Sequence, residues 1–190
     1  MKNRTIVRSL TTSEGTLVAM DDGLIVWNPT NDRPIRQRLE TLPTVLLAIR
    51  GPMGRIDTAV VGNTMGEVIV LTLPRLEVVQ RFVVKGGSIR AVSLVNDASM
   101  KLLAGTQNGE VWCLDEQGDV REHLLFSIDG PVSSLHCDSG IVHVRSAWIH
   151  HMHAWDGTVM SSEDTASTYS QLSYKRLDRT YAQRELPTMV

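Results

Sequence analysis

Cysteine is scarce in this 190-residue chain: Cys113 and Cys137 are the two present, both in apolar, strand-like contexts. Two thiols are too few to staple a fold, and they suit a reducing compartment. Long apolar runs are missing as well. No stretch approaches the roughly 18 residues that a spanning helix needs, and no apolar signal core follows Met1-Lys2-Asn3-Arg4-Thr5-Ile6. The expectation is a cytoplasmic protein without a membrane partner. Nor is there an excess of basic charge. Nineteen Lys and Arg stand against 21 Asp and Glu, for a net charge of −2 and a pI near 6.3, so no stripe is available to neutralise phosphates and nucleic acid is not an expected partner. The patterns of common catalytic sites are lacking too: no Gly-x-Ser-x-Gly, no phosphate loop ending in Gly-Lys-Ser/Thr, no His-Glu-x-x-His. Gly51-Pro52-Met53-Gly54-Arg55 is rich in glycine but has no lysine and no helix behind it. It reads as a turn between strands.

What is present is a repeat. Leu102 to Leu114 reads as two short apolar strands joined by a polar turn that ends in Asn108-Gly109, a β-hairpin signal. The same arrangement spans 59–71 around Gly66 and 17–27 around Gly23, so the turn glycines at 23, 66 and 109 recur at intervals of 43. A fixed period of that length means one structural unit used repeatedly. Each unit has room for four strands. The first runs through 3–10, the hairpin 16–27 and 33–40; the second through 44–50, 58–71 and 76–85; the third through 89–94, 102–114 and 120–127. The fourth opens at Gly130-Pro131-Val132 and continues through 141–146 and 149–155. It is degenerate, because Met152 stands where the turn glycine is due; a shortened turn at Ser146-Ala147-Trp148 would place Ser146 with the small residues Ala19, Gly62 and Gly105. Small residues recurring at the end of an inner strand mark crowding at the centre of an assembly. Trp27 and Trp112 are expected to be wedges between units. Residues 161–170 are rich in Ser and Thr and linker-like, and Tyr174, Leu177 and Tyr181 give the last stretch a weak amphipathic pattern.

Four short antiparallel strands per unit is the geometry of propeller blades. Asp22-Gly23-Leu24-Ile25-Val26-Trp27-Asn28 and Asn108-Gly109-Glu110-Val111-Trp112-Cys113-Leu114-Asp115 resemble the turn and third strand of WD-repeat proteins. The resemblance covers about residues 5–160 and departs from the family in two ways: no Gly-His pair opens a unit, and the Trp155-Asp156 pair falls in the degenerate one. Leu114 to Val120 is equally similar to the turn of quinoprotein-type blades. Either likeness implies an all-β, propeller-like array of four four-stranded antiparallel blades over 1–160, with a linker and tail over 161–190. Closure into a ring within one chain is the favoured arrangement, and two chains completing an eight-bladed ring is the alternative.

The function implied is that of a non-enzymatic protein-interaction module or assembly subunit, with no cofactor. A protein or peptide partner is expected on the face bearing the hairpin turns and the links between blades: Asp21, Asp22, Asn63, Thr64, Gln107, Asn108 and Trp148 from the turns, with Lys85, Ser88 and Asp129 from the links. Turn amides and carboxylates offer hydrogen bonds and Trp148 an aromatic anchor. Each alone reads more readily as a solvated turn residue; the expectation concerns the set. The alternative is a metal-binding or enzymatic propeller using His136, His143, His151 and His153, since alternate residues of a strand share a face.

Overall fold

A computed structural model of the chain describes residues 4–95, 101–115, 121–147, 149–155 and 157–164. Among these residues sixteen strands form four antiparallel sheets, each in simple up-and-down order. The first holds β1 (Ile6–Thr11), β2 (Gly15–Met20), β3 (Leu24–Pro29) and β4 (Ile35–Arg38); the second β5 (Pro43–Arg50), β6 (Ile56–Asn63), β7 (Glu67–Thr72) and β8 (Val78–Val83). The third holds β9 (Ile89–Leu94), β10 (Leu102–Thr106), β11 (Glu110–Leu114) and β12 (Glu122–Ser127); the fourth β13 (Val132–Asp138), β14 (Ile141–Ser146), β15 (Ile149–Ala154) and β16 (Val159–Asp164). The innermost strands β1, β5, β9 and β13 succeed one another around the centre.

The period of 43 has a local cause. Gly23, Gly66 and Gly109 adopt φ of 81°, 84° and 85°, a region closed to most side chains. Their carbonyls accept N–H groups at the end of the outer strand of the same blade: Leu39 at 2.8 Å, Val84 at 3.0 Å and Ile128 at 3.0 Å. One glycine therefore both reverses the chain and ties the turn to the fourth strand.

Apolar clusters join consecutive sheets. Leu17, Ala19, Ile25 and Trp27 meet Ala59, Val61, Ile69 and Leu71 between sheets one and two. Val60, Val68, Val70 and Phe82 meet Ile89, Leu102, Ala104 and Leu114 between sheets two and three. Leu103, Val111 and Cys113 meet Val132, Cys137, Val142 and Val144 between sheets three and four. Each fully buried Val, Leu or Ile contributes about 1.5–3 kcal/mol of transfer energy, so these interfaces dominate the fold's stability. β7 is buried without a break from Val68 to Leu71 because sheets cover both its faces, whereas β14 alternates, with Val142 and Val144 inside and Arg145 out. Trp27 is a wedge between blades as expected. Trp112 is partly buried against the second interface, its indole N–H donating to Glu110 Oε2 at 2.9 Å.

Three expectations are corrected. Among the described residues no apolar cluster joins sheet four to sheet one, so the described sheets form an open arc and not the expected ring closed within one chain. Ser146 does not stand with Ala19, Gly62 and Gly105: strand register gives that place to Arg145, which pairs with Ser134 as Gly105 pairs with Ala91, and sets Ser146 with Asn63 and Thr106. The small position faces the next sheet, and beyond sheet four there is none among the described residues. Finally, the fourth blade has its outer strand, β16, running to Asp164 where linker was expected from 161. Backbone pairing to β15 sustains it, and that signal is invisible in Ser161 and Ser162. Residues 165–190 and Trp148 lie outside the described residues. No helix among the described residues is long and apolar enough to cross a membrane.

Candidate interaction face

The hairpin turns and the inter-blade links meet on one side of the array. Gln107 N–H donates to Ser88 O at 2.8 Å, Asn108 N–H to Gly86 O at 3.2 Å, and Thr64 N–H to Leu42 O at 3.0 Å. Asp21 N–H reaches Thr5 O at 2.9 Å, and Ser146 Oγ donates to Asp129 O at 2.7 Å. Asp21, Thr64, Lys85, Gln107, Asn108 and Asp129 are exposed, and Ser88 is half-buried.

Asn63 is different. It is fully buried, its Oδ1 accepting the N–H groups of Met65 and Glu67 at 2.9 and 3.0 Å, while its Nδ2 donates to Glu67 Oε2 at 2.6 Å and to Thr41 Oγ1. It braces the turn from within, as Thr106 Oγ1 does by accepting Glu110 N–H at 3.1 Å. Asp22 is also engaged, 2.8 Å from both Arg4 Nε and Arg38 Nη2, with Leu24 N–H donating to it at 3.2 Å. Desolvation raises its carboxyl, but the hydrogen bonds from Arg38, Leu24 and Arg4 outweigh this and hold it below the usual carboxylate range. Its charge is spent within the protein.

At the centre of this face lies a feature that hydropathy does not reveal. Each innermost strand carries one residue skipped in its pairing with the second strand: Val7, Thr44, Arg90 and Ser133. Such bulges re-aim a side chain out of the ladder. All four line one cavity of about 270 Å³, together with Arg8 and Ile89. Thr44 Oγ1 donates to Ile89 O at 2.6 Å and Ser133 Oγ to Arg145 O at 3.0 Å, so both hydroxyl protons are used. Arg8 Nη1 reaches only Val7 O, at 3.0 Å. Among the described residues neither Arg8 nor Arg90 pairs with a carboxylate. Among the described residues the cavity is therefore a cationic site without an internal counter-ion. Thr44, Arg90 and Ser133 each stand second in their strands, a regularity that appears only once the strand bounds are known.

The four-histidine alternative does not assemble. His136 and His143 are direct partners across β13 and β14, while His151 and His153 point to the opposite face, toward sheet three. His153 is 3% exposed, stacks on Phe126 at 3.7 Å and has Nδ1 3.2 Å from Gly157 O. Among the described residues no group of three or more His, Cys, Asp or Glu is set to hold a metal ion. Burial first, then the charge of His153, lower the pKa of His151 from the ordinary 6.5, against an opposing pull from Asp129. The unfolded chain then takes up the proton first, so stability due to this group is whole above pH 6.5 and declines as pH falls below it. Thermal unfolding followed from pH 7.5 to 5.5 should lose less for His151→Phe than for the native chain; parallel losses would remove His151 as the cause.

No family model matches the sequence, and no curated protein does. Solved structures do match. A chain titled "Crystal Structure of Mitotic Checkpoint Complex" superposes with a TM-score of 0.72 at 10% identity, over 87% of this chain and 54% of that one. The computationally designed Ika8 protein gives 0.67 at 12% identity, over 84% and 49%. Sqt1 of Saccharomyces cerevisiae gives 0.66 at 14% identity, over 84% and 48%. The chain thus spans about half the length of the structures it matches. At such identities the likeness is one of fold: the described residues form a partial β-propeller like those of WD40 structures, with four four-stranded blades in an open arc.

Proposed function

We propose that the chain is a non-enzymatic interaction module that docks an acidic segment of a partner protein over the centre of its turn face. The observation that carries this reading is the convergence of four equivalent bulge residues, with Arg8, on one cavity whose two arginines have no carboxylate partner among the described residues. Guanidinium forks match carboxylate oxygens in bidentate geometry. A cavity of about 270 Å³ is at the low end for a small-molecule site and admits one or two side chains. That size favours a protein segment over a cofactor or substrate. Around it, exposed Thr64, Lys85, Gln107 and Asn108 with half-buried Ser88 would supply the polar rim of the interface. The sheets hold these groups in place, so docking needs little reorganisation. Cys113 and Cys137, both buried and not joined in a disulfide, agree with a cytoplasmic setting, and a propeller fold suits a subunit of a larger complex.

The test is a fluorescence anisotropy titration with pooled Asp/Glu-rich peptides and a charge-reversed pool. The native chain should bind only the acidic pool. The double variant R8E/R90E should bind it at least about tenfold more weakly while melting at the native temperature. Unchanged binding by that variant would take the cavity out of consideration and return attention to the rim.

A further inference from the structure

The outward face of the fourth sheet carries a row of histidines that the interaction face does not use. Register places His136 directly opposite His143, and His150 diagonal to His143 across the β14–β15 pair, where Met152 is the direct partner. All three lie on the face turned away from sheet three, because the alternate residues Cys137, Val142 and Val144 pack into the interface with that sheet. His143 and His150 are half-buried and His136 is exposed. The rings of His143 and His150 have centroids 5.4 Å apart, with His143 Nδ1 3.3 Å from His150 Nε2.

Two imidazole nitrogens at that separation can share a proton or a cation. Two metal–nitrogen bonds of about 2.0–2.1 Å at a tetrahedral angle put the nitrogens about 3.3–3.4 Å apart, the spacing found here. We propose that His143 Nδ1 and His150 Nε2 form a surface site for a divalent transition-metal ion of the imidazole-seeking class, such as Zn²⁺, Ni²⁺ or Cu²⁺. Water fills the remaining positions, and His136, its ring centroid 6.3 Å from that of His143, stands beside the pair without joining it. Neutral imidazole selects these ions over Mg²⁺ and Ca²⁺, which take oxygen donors. The ring that donates within the pair moves its proton to its other nitrogen, so both lone pairs face the ion and no proton need be released. Arg145 opposes the ion: it is the direct partner of His150 and exposed. Its charge weakens the site, and its long side chain lets that charge stand in water.

The experiment is competition for Zn²⁺ between the full chain and a chromophoric chelator, in a non-coordinating buffer at neutral pH. The native chain should take up one ion with micromolar affinity. His143→Ala and His150→Ala should each weaken uptake by about tenfold or more, and R145Q should strengthen it about twofold. His151→Ala, altered on the opposite face, should bind as the native chain does. Circular dichroism melts establish that each variant is folded. Absence of saturable uptake, native affinity in folded His143→Ala, or equal losses in His143→Ala and His151→Ala would each overturn the proposal.

Discussion

Replacing Gly109 by valine should cost roughly 3–5 kcal/mol and lower the melting temperature by about 10 °C or more. Two effects add. The φ of 85° is an outlier for any β-branched residue, and a Cβ at this position would run into Ile128 O and come within 2.6 Å of Gly130 O. Relief by movement is blocked, because Ile128 N–H donates to Gly109 O at 3.0 Å, so shifting the strand end breaks the bond that anchors the turn. Gly54 separates the two effects. Its φ is 73°, yet nothing lies within 4 Å of the Cβ it lacks, so Gly54→Ala should cost only about 1 kcal/mol of backbone strain. Chemical denaturation of both variants decides it. Equal losses would mean that the packing of the turn against the outer strand contributes nothing.

The second large effect concerns the interface between blades. At Gly105 a Cβ would overlap Val132 Cγ1 and lie 2.8 Å from Val132 Cβ, as at Gly62 it would lie 2.5 Å from both Ile89 Cγ2 and Val45 Cγ1. The inner strand of one blade thus seats a branched side chain against the bare backbone of the blade before it. Gly105→Ala should cost about 2–3 kcal/mol by overpacking and Val132→Ala about 2 kcal/mol by leaving a void. Together they should cost at least about 1 kcal/mol less than the sum, because the new methyl occupies the space that the old ones leave. Strict additivity in urea unfolding would show that the two residues do not fill a common space.

The same contacts explain what was legible beforehand. Turn glycines at a fixed interval announce the blades because no other residue tolerates both the positive φ and the strand end pressed against them, so a backbone constraint becomes visible as composition. The continuous apolar strands around them were equally readable. The bulges at Thr44, Arg90 and Ser133 were not: whether a residue is skipped in a ladder depends on its partner strand, and polar residues near a strand's start read as loop. The histidine row was misassigned for a related reason. Period-two alternation groups His151 with His153 correctly, but which strand-mate lies diagonal to His143 follows from register alone. Asn63 looks like an exposed turn residue because Asn suits turns whether its side chain faces water or, as here, holds the turn together from inside. β16 carries few apolar residues because an outermost strand needs backbone pairing more than packing.

An open arc has a thermodynamic consequence for the cavity at its centre. In a stack of units that interact only with their neighbours, an end unit is held by one interface and an inner unit by two. Blades one and four are the end units here, and they supply Val7, Arg8 and Ser133 to the cavity, while Thr44, Ile89 and Arg90 come from the doubly held pair. The cavity is therefore lined from the most and the least firmly anchored strands of the same molecule. Sub-global opening at either end dismantles it long before the middle blades unfold. A ligand that needs both arginines binds only the fully stacked array and so draws the end blades onto the middle pair by mass action. Occupancy of the cavity and order at the ends of the arc are two readings of one equilibrium.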